Sequence, residues 1–131
     1  MIAIDSSALV AIVIAEPERK EFLEIIGRND GSAISAVSLL ETRLVLRSRF
    51  GTIAIENFNA LLQEIGSEIV PFDEQQADAA FEAFETYGKG MHATARLNFG
   101  DCASYALAKT RVLPLLYKGD DFAATDIVAA G

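Results

Sequence analysis

Cysteine is nearly absent from this chain. The single one, Cys102, excludes an internal disulfide framework and fits a reducing cytosol. Histidine is as scarce. His92 stands alone in a loop, with no second histidine or cysteine at ligand spacing, so a zinc site has nothing to build on. Basic residues are outnumbered, 11 Lys and Arg against 19 Asp and Glu, for a net charge of −8. A broad basic face that grips nucleic acid through its phosphates is therefore not expected, although a nuclease is not excluded. Membrane-length apolar runs are missing too. Ala8 to Ala15 (ALVAIVIA) is unbroken but too short to span a bilayer, and Asp5 precedes it where a signal peptide carries positive charge. There is no glycine-rich phosphate loop. No linker, repeat or low-complexity segment divides the chain, so residues 1–131 read as a single domain.

What the chain does have is apolar bulk. Hydrophobic residues make up 51% of it and mean hydropathy is +0.27, which calls for a strongly buried sheet, an oligomer interface or both. MIAI (1–4), GSAIS (31–35) and SEIVPF (67–72) read as short strands. VLPLLY (112–117) is another, its Pro114 tolerable only near the start, and 126–129 forms a last short one. Helices are expected from about Ser7 to before Pro17, then over 18–26, 36–49, 53–65, 74–87 and 101–110. The helix over 74–87 is amphipathic, with Ala77, Ala80, Phe81 and Phe84 on one side. Strands alternating with helices predict an α/β fold whose parallel sheet is covered on both faces, with ligands at the carboxyl ends of the strands.

Four acids fall at or near that edge: Asp5 in MIAIDSSALV, Glu41 in SAVSLLETRLVL, Asp101 in LNFGDCASYALAK and Asp120 in LLYKGDDFAATDI. Each has an ordinary explanation. Asp5 and Asp101 can cap the helices that follow them, and Asp120 and Asp121 lie in a turn where acids are common. Glu41 can close a capping box with Ser38. Its apolar neighbours Val37, Leu44 and Val45 instead suggest a packed face, where an ionised carboxylate needs a partner or a metal. Arg43 and Arg47 point to another side of that helix, and Leu39 and Leu46 form a further apolar stripe. Gathered together, the acids repel by about 4 kcal/mol per pair at roughly 4 Å and an effective dielectric of about 20. A divalent metal relieves that repulsion, which makes metal-dependent phosphoester hydrolysis the first hypothesis. All-carboxylate sites select Mg²⁺ or Mn²⁺.

IDSSALVAI, SAVSLLETRLVL, HATARLNFGDCASYALAK and LLYKGDDFAATDI together resemble the PIN-domain ribonucleases, and more narrowly the VapC toxins of type II toxin–antitoxin systems. The likeness runs over nearly the whole chain. It implies a PIN-like three-layer fold with a short parallel sheet of four to five strands flanked by helices. It also implies a metal site built from Asp5, Glu41, Asp101 and an acid of GDDF, placed at Asp120 directly after Gly119. An endoribonuclease activity, a homodimer, a cognate VapB-type antitoxin and an RNA substrate such as transfer RNA follow from the same likeness, as does a cytoplasmic, membrane-free location. Arg43, Arg47, Lys89 and Arg96 are candidates for holding RNA phosphates.

Other readings remain. A phosphoacceptor receiver domain also sets acids at strand ends, and Lys118 mimics its strand-end lysine, but SAIS ends in serine where the acceptor aspartate belongs. A haloacid-dehalogenase-type phosphatase needs Asp-x-Asp at the start, where this chain has Asp5-Ser6-Ser7. A non-catalytic interaction module of the same fold is the third.

Overall fold

The computed structural model describes residues 1–131. Its elements follow in the order β1 (Ile2–Ile4), α1 (Ser6–Val13), α2 (Arg19–Arg28), β2 (Ser32–Ser35), α3 (Ala36–Phe50), α4 (Thr52–Ile65), β3 (Glu68–Val70), α5 (Glu74–Tyr87), α6 (Phe99–Arg111) and β4 (Leu115–Leu116). The strands pair in the order β3-β2-β1-β4, every pair parallel.

The strands are short because each supplies only one or two residues to each face. Alternation sends Ile2 and Ile4 of β1, Ile34 of β2 and Leu116 of β4 into one core, against α1 to α4. It sends Ala3, Ala33 and Leu115 into the other, against α5 and α6. The first core takes the larger side chains, including Leu9, Ile12, Leu46 and Phe58. The second sets alanines on the sheet, so that the alanine-rich α6 can lie close to it. This is the three-layer fold that the alternating pattern and the PIN likeness imply.

Several local expectations change. The strand over 112–117 shrinks to Leu115–Leu116, because α6 runs on to Arg111 and Val112 ends it in the left-handed region. Pro114 precedes the strand and still serves it, its carbonyl accepting from the Ala3 N–H at 2.9 Å. The last strand reduces to a bridge, in which Leu115 exchanges hydrogen bonds with Val128 and Ala130. On α5 the apolar side is only partly core, since Ala80 and Phe84 pack on the second core. Gln76 and Ala83 are buried, while Ala77 and Phe81 face solvent. On α3 Leu46 is fully buried and Leu39 packs on the core, so the stripe they form is internal. The exposed apolar residues there are Leu40 and Leu44, followed by Phe50 and by Ile53 at the start of α4.

Candidate active site

The carboxyl ends of β1, β2 and β4 open on one edge, and helices start from two of them. Asp5 ends β1 and caps α1, its Oδ2 accepting from the Ser7 N–H at 3.0 Å and the Ser7 hydroxyl at 2.6 Å. The cap reading of Asp5 is thus correct, yet it leaves Oδ1 to point into the edge. There it accepts from Ser104 Oγ of α6 at 2.5 Å, and Ser104 is in turn 3.0 Å from Ser38 Oγ of α3. Three helices therefore hold one aspartate that is only 3% exposed.

Asp101 lies one turn before Ser104. Helix α6 begins two residues earlier than the sequence suggests, with Asn98 as its cap. Asn98 Oδ1 accepts from the Asp101 N–H at 2.8 Å and Asp101 Oδ2 accepts from the Asn98 N–H at 3.1 Å, a closed capping box. Asp101 is nonetheless pushed up to about 7, first by burial and then by the like charges of Asp5, Asp121 and Glu41, against the lowering effect of the Asn98 N–H.

Glu41 is not in a capping box. Helix α3 is capped by Ser35, whose Oγ accepts from the Val37 N–H, and Ser38 is turned inward to Ser104. Nor is Glu41 on a packed apolar face, since Leu44 is 61% exposed. It reaches across to α1, where Oε1 accepts from Ser6 Oγ at 2.6 Å, and it lies against Gly100.

The turn after β4 carries Asp120 and Asp121, the two candidates for a fourth acid. Gly119 takes a φ of +96°, which lets the chain turn there just before the two aspartates. Both are exposed, and Asp121 is among the like charges that raise Asp101. The Lys118 N–H donates to Ser7 Oγ at 2.9 Å and ties this turn to Asp5.

No Lys, Arg or His forms an ion pair with Asp5, Glu41, Asp101 or Asp121. The nearest cation by position, the Lys118 ammonium, is taken by Glu16 and Glu18. No three acidic, histidine or cysteine side chains converge closely enough to enclose an ion by themselves. A Mg²⁺-like ion does not require that. It keeps several waters and takes one or two carboxylates, which fits a set of buried, mutually repelling acids with oxygens left free.

Two clefts adjoin the acids. One, of about 400 Å³, is lined by Ser6, Ser7, Glu41, Arg49 and Lys118. The other, of about 380 Å³, is wholly apolar, walled by Phe72, Phe81, Phe84 and Phe99 with Cys102. Phe99 and Cys102 belong to the same turn of α6 as Asp101, although no acid lines this groove. Cys102 itself is buried and its thiol is pushed up to about 11, mainly by that burial, which removes it as a nucleophile. His92 accepts from the Thr94 and Ala95 N–H groups and shapes its own loop.

The fold is a three-layer α/β domain whose parallel sheet opens its carboxyl edge on acids that form no ion pair. The PIN domain family model matches residues 2–128. Ribonuclease VapC30 of Mycobacterium tuberculosis is 44% identical over 124 residues, covering 95% of this chain and 94% of that protein. Among solved structures, the sarcin–ricin-loop-cleaving toxin VapC20 of Mycobacterium tuberculosis superposes with a TM-score of 0.79 at 18% identity, over 98% of this chain and 97% of that one. A toxin–antitoxin complex from Klebsiella pneumoniae follows at 0.73 and 18%, over 98% and 96%. The chain belongs to the PIN-domain family, within the group of VapC ribonucleases.

Proposed function

We propose that this protein is the toxin of a type II toxin–antitoxin pair, a Mg²⁺- or Mn²⁺-dependent endoribonuclease. The observation that carries the reading is the cluster of buried Asp5 and Asp101 with half-buried Glu41 and exposed Asp121 near them, none of them in an ion pair with a cation of the chain. The fourth acid is assigned to Asp121 in place of Asp120, because Asp121 is among the like charges that raise Asp101.

Asp5 and Asp101 are the main ligands for the ion. When bound, it polarises the scissile phosphate and makes water a better nucleophile. The remaining work belongs to the chain. Ser7 and Ser104 fix the Asp5 carboxylate through both its oxygens. Asn98 fixes Asp101. Glu41, held by Ser6, orients the attacking water and accepts its proton. Water adds to phosphorus as the bond to the 3′ oxygen breaks and that oxygen takes up a proton. The products are a 5′-phosphate and a 3′-hydroxyl. Neither a histidine base nor the 2′-hydroxyl takes part. Arg43, Arg47, Lys89 and Arg96 are exposed and outside any ion pair, which leaves them free for RNA phosphates, and Arg49 joins them beside Glu41.

The antitoxin is proposed to lay apolar side chains along the phenylalanine groove and a basic side chain over the bare acids. A homodimer is proposed through Leu40, Leu44 and Ile53, which take the role that Leu39 and Leu46, being internal, do not. Asp5→Asn should abolish RNA cleavage and growth arrest on expression while leaving antitoxin binding measurable. An Asp5→Asn protein that cuts RNA at the wild-type rate would overturn the assignment.

A further inference from the structure

Gly100 is the second residue of α6, buried, with ordinary helical backbone. Nothing in its φ calls for glycine, and glycine is a poor helix former. The reason lies across the interface with α3. A Cβ at this position would fall 2.2 Å from Glu41 Oε2, 2.5 Å from Oε1 and 2.6 Å from the carboxyl carbon. Glu41 thus rests flat on the bare Cα of α6, one residue before Asp101. From the other side Ser6 Oγ donates to Oε1 at 2.6 Å. Three helices meet on one carboxylate: α3 carries it, α1 supplies the hydroxyl and α6 supplies the floor.

We propose that Gly100 is a positioning residue, its missing side chain being the seat in which Glu41 reaches the acid cluster, with Ser6 closing the seat. The proposal rests on the reading of that cluster as a divalent-ion site. The obstacle to a larger residue is the far end of a flexible side chain and not backbone. An alanine at 100 therefore leaves the fold standing and turns the Glu41 carboxylate out of place. Stability and function should part company: a helix-favouring substitution that damages the site.

The test uses the whole chain and Mn²⁺ as probe. Gly100→Ala should melt at or above the wild-type temperature and bind Mn²⁺, measured by titration calorimetry, about tenfold or more weakly, the loss typical of displacing a group that supports the ion from beside its main ligands. Shortening the acid should make room for the new methyl group. Gly100→Ala with Glu41→Asp should therefore bind Mn²⁺ more tightly than Gly100→Ala alone, although Glu41→Asp by itself weakens binding. A purely structural glycine would not be rescued from position 41. Wild-type Mn²⁺ affinity in Gly100→Ala overturns the proposal. Should the wild type bind no Mn²⁺ and cut no RNA, the functional reading fails, and the seat is judged by melting temperature alone. Gly100→Ala should then stabilise a Glu41→Ala background more than it stabilises the wild type, and equal shifts in the two backgrounds contradict the seat. If Gly100→Ala does not fold, the Glu41→Ala double variant should. Failure of both means the backbone, and not Glu41, demands the glycine.

Discussion

The two ends of α6 treat their acids in opposite ways. At the carboxyl end Lys109 Nζ and Tyr105 Oη each donate to Asp126 at 2.5 Å, and Arg111 pairs in bidentate fashion with Glu68 of the edge strand at 2.8 and 3.0 Å. The Asp126 carboxyl is held below the usual range, chiefly by the Lys109 hydrogen bond, and that of Glu68 by Arg111. At the amino end Asp101 meets three further acids and no cation, and is pushed up to about 7. A chain with only 11 basic residues spends two of them pinning its C-terminal tail and its edge strand. The acids at the amino end have no such partner, and two of them, Asp5 and Asp101, are buried. Burying such charge opposes stability, so its presence points to work done with a ligand.

Exchanging one acid from each end breaks the comparison most sharply. Asp101→Asn keeps the capping acceptor and removes a repelled charge. Cleavage should fall by more than the roughly 100-fold that loss of a mere supporting group costs. Stability at neutral pH should rise, on the order of 1–3 kcal/mol after allowance for partial solvent access. Asp126→Asn should do the reverse, lowering the melting temperature while cleavage persists. Melting curves and single-turnover rates of the two proteins decide it.

The adjacent turn acids give the next contrast. Asp121→Asn should lose most activity and Asp120→Asn little, if Asp121, one of the like charges that raise Asp101, is the fourth acid. Equal losses would place both in the site.

Asp101 also sets a pH dependence. Folded, and without divalent ions, it binds its proton until about pH 7, whereas unfolded it releases it near the ordinary aspartate value of 3.8. Between those values the native state holds the extra proton, so stability falls as pH rises from about 4 to about 7 and levels off above. Melting in EDTA at pH 5.5 and pH 8 should show that fall, and Mg²⁺ should shrink it by favouring the ionised form. The smallest effect belongs to the exposed pair on the edge strand. Arg111→Ala should barely change melting or cleavage, since exposed ion pairs contribute little.

Much of this was legible in the sequence, and the misses have physical causes. The strand–helix alternation and the approach of Asp5, Glu41 and Asp101 to one edge follow from short apolar runs, each ending in a polar residue. The PIN-domain likeness rested on the same segments that the family model covers. What periodicity mishandled was the destination of apolar faces. Phe81 on α5 and Leu44 on α3 carry the pattern of core residues but stand exposed. The true interior of α3 is Ser38, Thr42 and Leu46, two of them polar. Those hydroxyls are satisfied by Ser104 Oγ and the Ser38 carbonyl, partners from another helix and from the previous turn. Ser104 had a visible signal, since it follows Asp101 by three residues and so shares its helix face. Nothing in the sequence favoured one of Asp120 and Asp121 over the other, because their placement depends on the turn at Gly119.

The central claim, that the bare cluster at the start of α6 works through a divalent ion, meets its most direct test in cleavage of end-labelled RNA by the purified chain. The account predicts no cleavage in EDTA, recovery on adding Mg²⁺ or Mn²⁺, and fragments ending in 5′-phosphate and 3′-hydroxyl. Undiminished cleavage in EDTA, or fragments ending in a 2′,3′-cyclic phosphate, would contradict it.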